Sequence, residues 1–486
     1  MYRMTEHQLI LPDDFFLPFG GKLNKDNRWV KLAALIPWWK VEQVYAKRFE
    51  KKINGRQAVS VRVALGALII KERLGTSDRE TVQQITENPY LQYFIGLPGY
   101  QEEPPFHHSL MSHFRKRLNK KAINQINEWI VLGEHSETED DHDHDEPGQG
   151  PTEETDTPSA SESSPNKGKL LLDATCAPAD IAYPTDLSLL NEAREKLEEM
   201  IDVLHAPFRG KQRKPRTYRR KARQAYLKVA KQRNVGQRKR RRAIGQQLRF
   251  IERDLKHIAK LQEISSLHRL NKQQYKQLMV IHEVYRQQKE MYATRSHRID
   301  DRIVSITQPH IRPIVRGKAK ANVEFGAKVS VSLVDGYAFM EELQWDNYNE
   351  ANTLQQSIEA YRKRYGCYPE AILADKIYRN RENHRYCRER NIRLSGPKLG
   401  RPPKHELTEQ KQLAQQDASE RNAIEGKFGE GKRSYGLGLI QARLQQTSET
   451  VIALQFLVMN LERRLRLLFY LFFKCLVQAI KCPVAV

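Results

Sequence analysis

Apolar residues recur at helical spacing through VRVALGALIIKERL (61–74), which predicts a helix with a buried face. Gly75 stops it, and Ser77-Asp78-Arg79-Glu80 reads as a capping box opening a second helix, which Asn88-Pro89 ends. Helix, short Gly-containing turn, helix is the helix-turn-helix pattern. A third helix is predicted around 108–130, carrying Arg115, Lys116 and Arg117. Residues 1–133 are therefore expected to form an all-α N-terminal domain of a kind that contacts DNA.

The pattern is lost over 134–167. Between Glu134 and Asp156 stand eleven acidic residues and no Lys or Arg, followed by a Ser/Pro-rich run. Such a stretch holds too little apolar surface to offset the entropy of ordering and predicts a disordered linker. His142 and His144 lie in it among Asp residues, a spacing better explained by a solvated tract than by a metal site.

From Lys169 the pattern changes again. KLLLDAT (169–175) is a buried-strand run with Asp173 near its end. A charged helical region follows, and Ile244, Leu248, Ile251, Leu255 and Ile258 repeat at spacings of four and three, the seam of a coiled coil. KVSVSLV and YAFMEELQW flank Asp335-Gly336, a strong hairpin signal. A helix (350–365), the strand PEAILAD (369–375), a helix (380–390), the short strand NIRLSG and a long helix through Glu425 complete the order. With the insert set aside, this is the ribonuclease H-like order: a mixed α/β sheet flanked by helices. The domains expected are 1–133, the linker 134–167, a catalytic domain from 168–186 and 322–447, a basic helical coiled-coil insertion at 187–321, and a C-terminal packing helix at 448–486.

Charge and cysteine content narrow the chemistry. The chain of 486 residues carries 82 Lys+Arg against 59 Asp+Glu, a formal net charge of +23, so a polyanion is the expected partner. Between Arg209 and Arg249 there are 18 Lys/Arg and no acid. This is expected to be a phosphate-tracking arm, with Arg238, Lys239, Arg240, Arg241 and Arg242 as DNA-binding residues. The five cysteines show no CxxC pair, which excludes a sequence-evident zinc site or disulfide framework and fits a reducing cytoplasm. MYRMTEHQLILPDDFF lacks the long apolar core of a signal peptide. LLFYLFF (467–473) is too short to span a bilayer and is expected to pack on the body or on a second subunit.

The candidate chemistry lies in three carboxylates. The first and fourth expected strands are neighbours in this fold, so Asp173 and Asp375 should meet, and the last long helix should deliver Glu425. Phosphoryl transfer between DNA strands needs such a cluster, because two Mg²⁺ or Mn²⁺ ions about 4 Å apart can activate the attacking oxygen and stabilise the leaving one. Arg421, Glu425 and Lys432 are spaced by four and seven and share a helix face. That places cations beside the acid, where a phosphate backbone would lie. Asp335 also follows a strand, but its Gly and flanking strands explain it as a turn residue.

LLLDATCAPADIAYPTD, VEFGAKVSVSLVDGYAF, ILADKIYRN and RNAIEGKFGEGKRSYGLGLIQARL resemble the DDE transposases of bacterial insertion sequences, in the insertion-sequence-four/five superfamily. Residues roughly 20–130 are similar to their helical N-terminal domain. The family's third acid sits in Tyr, two residues, Arg, three residues, Glu, six residues, Lys. Arg421, Glu425 and Lys432 match, while Ala418 stands where the Tyr would be. Asp375-Lys376-Ile377-Tyr378 matches the family's second-acid motif with Ile377 in place of Gly. The resemblance implies catalytic, metal-holding Asp173, Asp375 and Glu425, phosphate contacts by Arg421, Lys432 and Lys376, and a dimer or higher assembly on double-stranded DNA in a bacterial cytoplasm. A nuclease without joining activity would use the same acids, and a non-catalytic regulator would share the charge. GKFGEGK (426–432) is no ATPase loop, since Arg433 follows where Ser or Thr is required and the preceding residues are helix-forming.

Overall fold

The computed structural model describes residues 2, 4, 11–18, 20–49, 57–133, 165–315, 323–396 and 408–481, with side chains as far as 470. The acidic linker, apart from its last few residues, and His142 and His144 lie outside the described residues.

The N-terminal region is helical: α1 (Arg28–Ala34), α2 (Trp38–Ala46), α3 (Val61–Leu74), α4 (Asp78–Glu87), α5 (Pro89–Phe94), α6 (Leu110–Arg117) and α7 (Lys120–Leu132). Gly75 caps α3 in the left-handed region (φ 67°). The Ser77 hydroxyl accepts from the Glu80 N–H at 3.2 Å, while the Glu80 carboxylate accepts from Gln84, so only half of the expected capping box forms. The single helix expected at 108–130 is two, because Asn119 caps α7 by accepting from the Ala122 N–H. Arg115 is buried and forked onto Asp78, and the Arg117 guanidinium lies 4.6 Å from the Phe49 ring centre. Two of the three cations expected to face DNA therefore serve packing.

The sheet is built from β1 (Lys169–Pro178), β2 (Arg312–Val315), β3 (Val323–Val334), β4 (Tyr337–Gln344), β5 (Ala371–Ala374) and β6 (Arg393–Leu394). Its order is β2-β3-β1-β5-β6, with β4 also on β3, and β1–β5 and β5–β6 are parallel. This mixed sheet flanked by helices is consistent with the ribonuclease H-like expectation. Strand β2 was not signalled by the pattern; it borrows the edge of β3 at Val323–Gly326, so the PEAILAD strand is fifth rather than fourth. The hairpin forms as expected, with Asp335 (φ 50°) and Gly336 (φ 77°) both left-handed, as a two-residue turn of this twist demands.

Between β1 and β2 lie α8 (Asp186–His205), α9 (Arg219–Ala230), α10 (Gln237–Ile264) and α11 (Lys272–Thr294). Leu248, Ile251 and Ile258 of α10 join Leu190, Leu197 and Ile201 of α8 and Leu278, Ile281 and Val284 of α11 in a separate apolar core. The expected seam is thus the inner face of a helical bundle.

After β4 come α12 (Leu354–Tyr365), α13 (Arg381–Glu389), α14 (Thr408–Ser434) and α15 (Gln445–Lys481). Leu354 and Ile358 of α12 pack with Leu170, Leu172, Ile372 and Ala374 on one sheet face. Ile424 and Phe428 of α14 join Val329, Val331 and Leu333 on the other. Helix α15 is buried almost all round from Val451 to Leu461, as expected of a helix inside a core. One apolar cluster runs from Phe15 through the N-terminal helices to α15 and the sheet. Gly431 lets α14 approach α15: a Cβ there would stand 3.2 Å from Met459 Sδ. Beyond Leu465, Leu467, Leu468 and Tyr470 are exposed. Among the described residues no helix is long and apolar enough to cross a membrane.

Candidate active site

Asp173 lies at the middle of β1 rather than near its end, because the strand continues through Pro178 to pair with β3. The parallel register sets Leu172 against Ala374, so the next residues, Asp173 and Asp375, stand level on neighbouring strands. Asp375 follows the last residue of β5, is exposed and accepts from the Lys376 N–H at 2.7 Å. Its strand has just ended, which opens the sheet beside Asp173.

Burial pushes the Asp173 carboxyl up to about 6; the N–H of Ala174 (2.8 Å) opposes this, Glu350 adds to it, Arg421 opposes it and Asp375 adds. The carboxyl therefore feels groups from three other elements: Glu350 after β4, Asp375 after β5 and Arg421 on α14. Helix α14 is tied over the sheet by Lys169–Glu420 (2.7 Å) and Arg393–Asp417 (2.5 Å). These pairs aim Arg421, one residue past Glu420, toward β1.

Glu425 sits one turn further along, with 58% of its side chain exposed and 3.7 Å from Arg421. Two of the three expected acids are thus level with each other and linked through Arg421 to the third. Among the described residues no three His, Cys, Asp or Glu close into a metal-holding group. Lys376 is exposed beside Asp375, and Lys432 is half-buried in the last turn of α14.

A cavity of about 680 Å³ opens next to Asp375, lined among others by Thr175, Lys328, Tyr348, Glu350 and Ile377. Lys328 is buried, and its ammonium donates to the Tyr348 carbonyl (2.7 Å) and Asn347 Oδ1 (3.3 Å) and pairs with Glu350 (2.9 Å). Sequence reasoning missed Glu350 and Lys328. Glu350 read as the first residue of an ordinary helix and Lys328 as one residue of the run KVSVSLV. A Lys inside a strand of otherwise small and apolar residues was the available signal, because a buried ammonium needs a designated partner.

Away from the sheet, Arg238, Lys239, Arg240 and Arg242 at the start of α10 are exposed, and Arg241 lies 4.2 Å from the Tyr292 ring centre. None of the five pairs with a carboxylate among the described residues. The wider run is not acid-free in space, since Lys214 and Arg219 both pair with Asp202 of α8.

Residues 372–462 match the family described as Transposase DDE domain, and residues 18–117 match Transposase domain (DUF772). Both matches are to transposase domains, and they support the resemblance to a DDE transposase of an insertion sequence that the motifs had suggested. The uncharacterized protein ORF8 in the nfe locus of Rhizobium meliloti is similar, 27% identical over 209 residues, which is 43% of this chain and 83% of that one. No solved structure matches the chain.

Proposed function

We propose that the protein binds the ends of its own mobile element, cuts a phosphodiester there to free a 3′-hydroxyl, and joins that hydroxyl to target DNA. The observation that carries this is the level placement of Asp173 and Asp375 beneath α14, in a chain whose residues 372–462 match a transposase DDE domain.

The donors at the site suit a hard divalent cation, since Asp173, Asp375 and Glu425 offer carboxylate oxygens, the ligands Mg²⁺ and Mn²⁺ prefer. These three acids would hold the metal, two ions by our reading, and when bound it would supply charge stabilisation at phosphorus and a more acidic attacking water. The Asp173 carboxyl, pushed up to about 6 chiefly by burial, fits this role, because a bound cation would offset the cost of holding its charge away from water. Arg421, Lys376 and Lys432 would contact DNA phosphates and fix the strand's register. In the first step water oxygen bonds to phosphorus and the 3′-oxygen leaves with a proton. In the second the 3′-oxygen attacks a target phosphate and a target 3′-oxygen leaves. Two element ends must be held together, so the working form is a dimer or larger on DNA.

The test is purified protein with DNA bearing the element ends. Nicking or joining should require Mg²⁺ or Mn²⁺, stop with EDTA and ignore ATP. Asp173→Ala, Asp375→Ala and Glu425→Ala should each lose chemistry by about a thousandfold or more while binding element-end DNA. Metal-independent binding without cleavage under any divalent ion would favour a regulator, and cutting without joining would favour a nuclease.

A further inference from the structure

In the helical insert, the start of α10, the end of α11 and the start of α8 meet around a cavity of about 730 Å³. Its floor is apolar: Val235, Ile244 and Tyr292 are half-buried there and Met291 is buried. Its walls carry Arg238, Arg240 and Arg241 from α10 and Arg295 from just beyond α11. Among the described residues none of these four guanidiniums pairs with a carboxylate, and Arg241 instead lies 4.2 Å from the Tyr292 ring centre. The acid in the wall, Asp186, is already neutralised: its Oδ1 accepts from the Arg302 guanidinium at 2.6 Å and from the Gln288 amide at 2.9 Å.

The Tyr292 ring is also given room by the helix it faces. A Cβ at Gly245 would stand 2.5 Å from the Tyr292 hydroxyl oxygen, so glycine, a destabilising choice inside a helix, is what α10 can carry there. A ligand filling this space meets an aromatic ring and a thioether below and uncompensated guanidiniums around it. Guanidinium forks match phosphate oxygens, and a ring beside a methionine accepts a flat heterocycle. The volume falls in the ordinary range for a small ligand, roughly 300–1,000 Å³.

We propose that this cavity binds one nucleotide, its base against Met291 and Tyr292 and its phosphate among Arg238, Arg240 and Arg295. The proposal stands apart from the carboxylates of the sheet and needs neither metal nor cleavage. Two sources share this chemistry, a free nucleotide and an unpaired nucleotide of a DNA strand. Lys239 and Arg242, exposed on the same stretch of α10, favour the strand, because its neighbouring phosphates would have cations to follow. The rival account is a solvated cationic face whose side-chain stems merely cover apolar surface.

The test measures DNA binding by the full-length protein in EDTA, by fluorescence anisotropy. A duplex ending in one unpaired nucleotide is compared with the blunt duplex, and Tm is recorded for every variant. The unaltered chain should prefer the overhang by about fivefold or more. Tyr292→Leu, which keeps an apolar side chain without a ring, should bring that ratio to about one. Arg295→Gln changes an exposed side chain beyond the end of α11; it should lower the ratio too, and it decides if Tyr292→Leu fails to fold. Calorimetric titration with dAMP and with inorganic phosphate separates the sources. No overhang preference, together with dAMP binding that Tyr292→Leu weakens, keeps the pocket and makes the free nucleotide its ligand. With no overhang preference, inorganic phosphate binding as tightly as dAMP would overturn the proposal, since the base would then contribute nothing. So would the absence of both overhang preference and dAMP binding, or an overhang preference that neither Tyr292→Leu nor Arg295→Gln reduces.

Discussion

Asp173 in the sheet and Asp254 in the helical insert are both pushed above the usual carboxylate range by burial, to about 6 and about 8. Asp254 is fully buried on α10, and neither of its oxygens has a hydrogen-bond partner among the described residues. Its charged neighbours are Glu198, which raises it further, and Arg194, Arg253 and Arg219, which oppose. Arg194 is itself engaged by Asn191, Glu195 and Glu198. The insert acid is thus sealed behind an ion-pair network. The sheet acid faces acidic and basic groups from separate elements next to an open cavity. A displaced pKa marks both places, and only the convergence of elements on accessible space distinguishes a site from a strained core.

The largest expected difference is in catalysis. Asp173→Asn should abolish strand cleavage, by about a thousandfold or more, whereas Asp254→Asn should leave the rate within about threefold, as for a residue remote from the reacting atoms. Loss of cleavage in both variants with unaltered Tm would break the comparison and make the insert core part of the mechanism.

Stability against pH should reverse their order. Each acid binds its proton more tightly folded than unfolded, so the folded state gains below the unfolded value, near 4, and loses as pH rises through the folded value. For Asp173 the loss falls between about 4 and 6, and for Asp254 between about 4 and 8. Measured in EDTA, Asp254→Asn should raise Tm at pH 9 by about 2–4 °C for each kcal/mol recovered and have little effect at pH 4. Asp173→Asn should show a smaller gain that is already complete by pH 7. A Tm gain for Asp254→Asn that is equal at pH 4 and pH 9 would show that its carboxyl is not displaced.

How far each region was legible follows from the kind of contact that made it. Period-2 and period-3.6 patterns announced β1, the β3–β4 hairpin, β5 and α14, since those elements bury apolar faces locally written in the chain. The pairing of Asp173 with Asp375 was inferable because both adjoin apolar runs that must lie at the centre of a sheet. Strand β2 was not, because RPIV is only four residues and draws its identity from the free edge of β3. Glu350 was hidden for the same reason: its partner is Lys328, 22 positions earlier on β3. The insert's charge was visible as composition, yet Asp202 and Glu198 on α8 neutralise part of it across the bundle, which no local window shows.

That partial neutralisation sharpens the next prediction. Replacing Arg238, Lys239, Arg240, Arg241 and Arg242 by Gln should weaken DNA binding and flatten its salt dependence, by roughly 0.9 in log–log slope for each phosphate no longer neutralised. Lys214 and Arg219, already paired with Asp202, should contribute much less when replaced. Deleting 137–156 should raise non-specific affinity if the acidic stretch competes with DNA for the arm. An unchanged slope in the five-residue variant would leave the insert as a spacer or a dimerisation element.

The smallest effect should come from the acid that most resembles a catalytic one in sequence. Asp335 follows the buried strand β3 as Asp375 follows β5, but the chain turns there instead of opening. Its φ of 50° and that of Gly336, 77°, define the two left-handed positions of the hairpin, and Asn tolerates this region at least as well as Asp. The contact it makes to the rest of the protein goes through its backbone: the Asp335 carbonyl accepts from the Arg463 guanidinium at 2.5 Å. Asn keeps that carbonyl. Asp335→Asn should therefore retain cleavage, joining and Mn²⁺ affinity, with stability changed by no more than about 0.5 kcal/mol. If Asp335→Asn on folded protein stopped chemistry while Asp375→Ala did not, the second acid would be Asp335, and the level register of β1 and β5 would have no catalytic meaning.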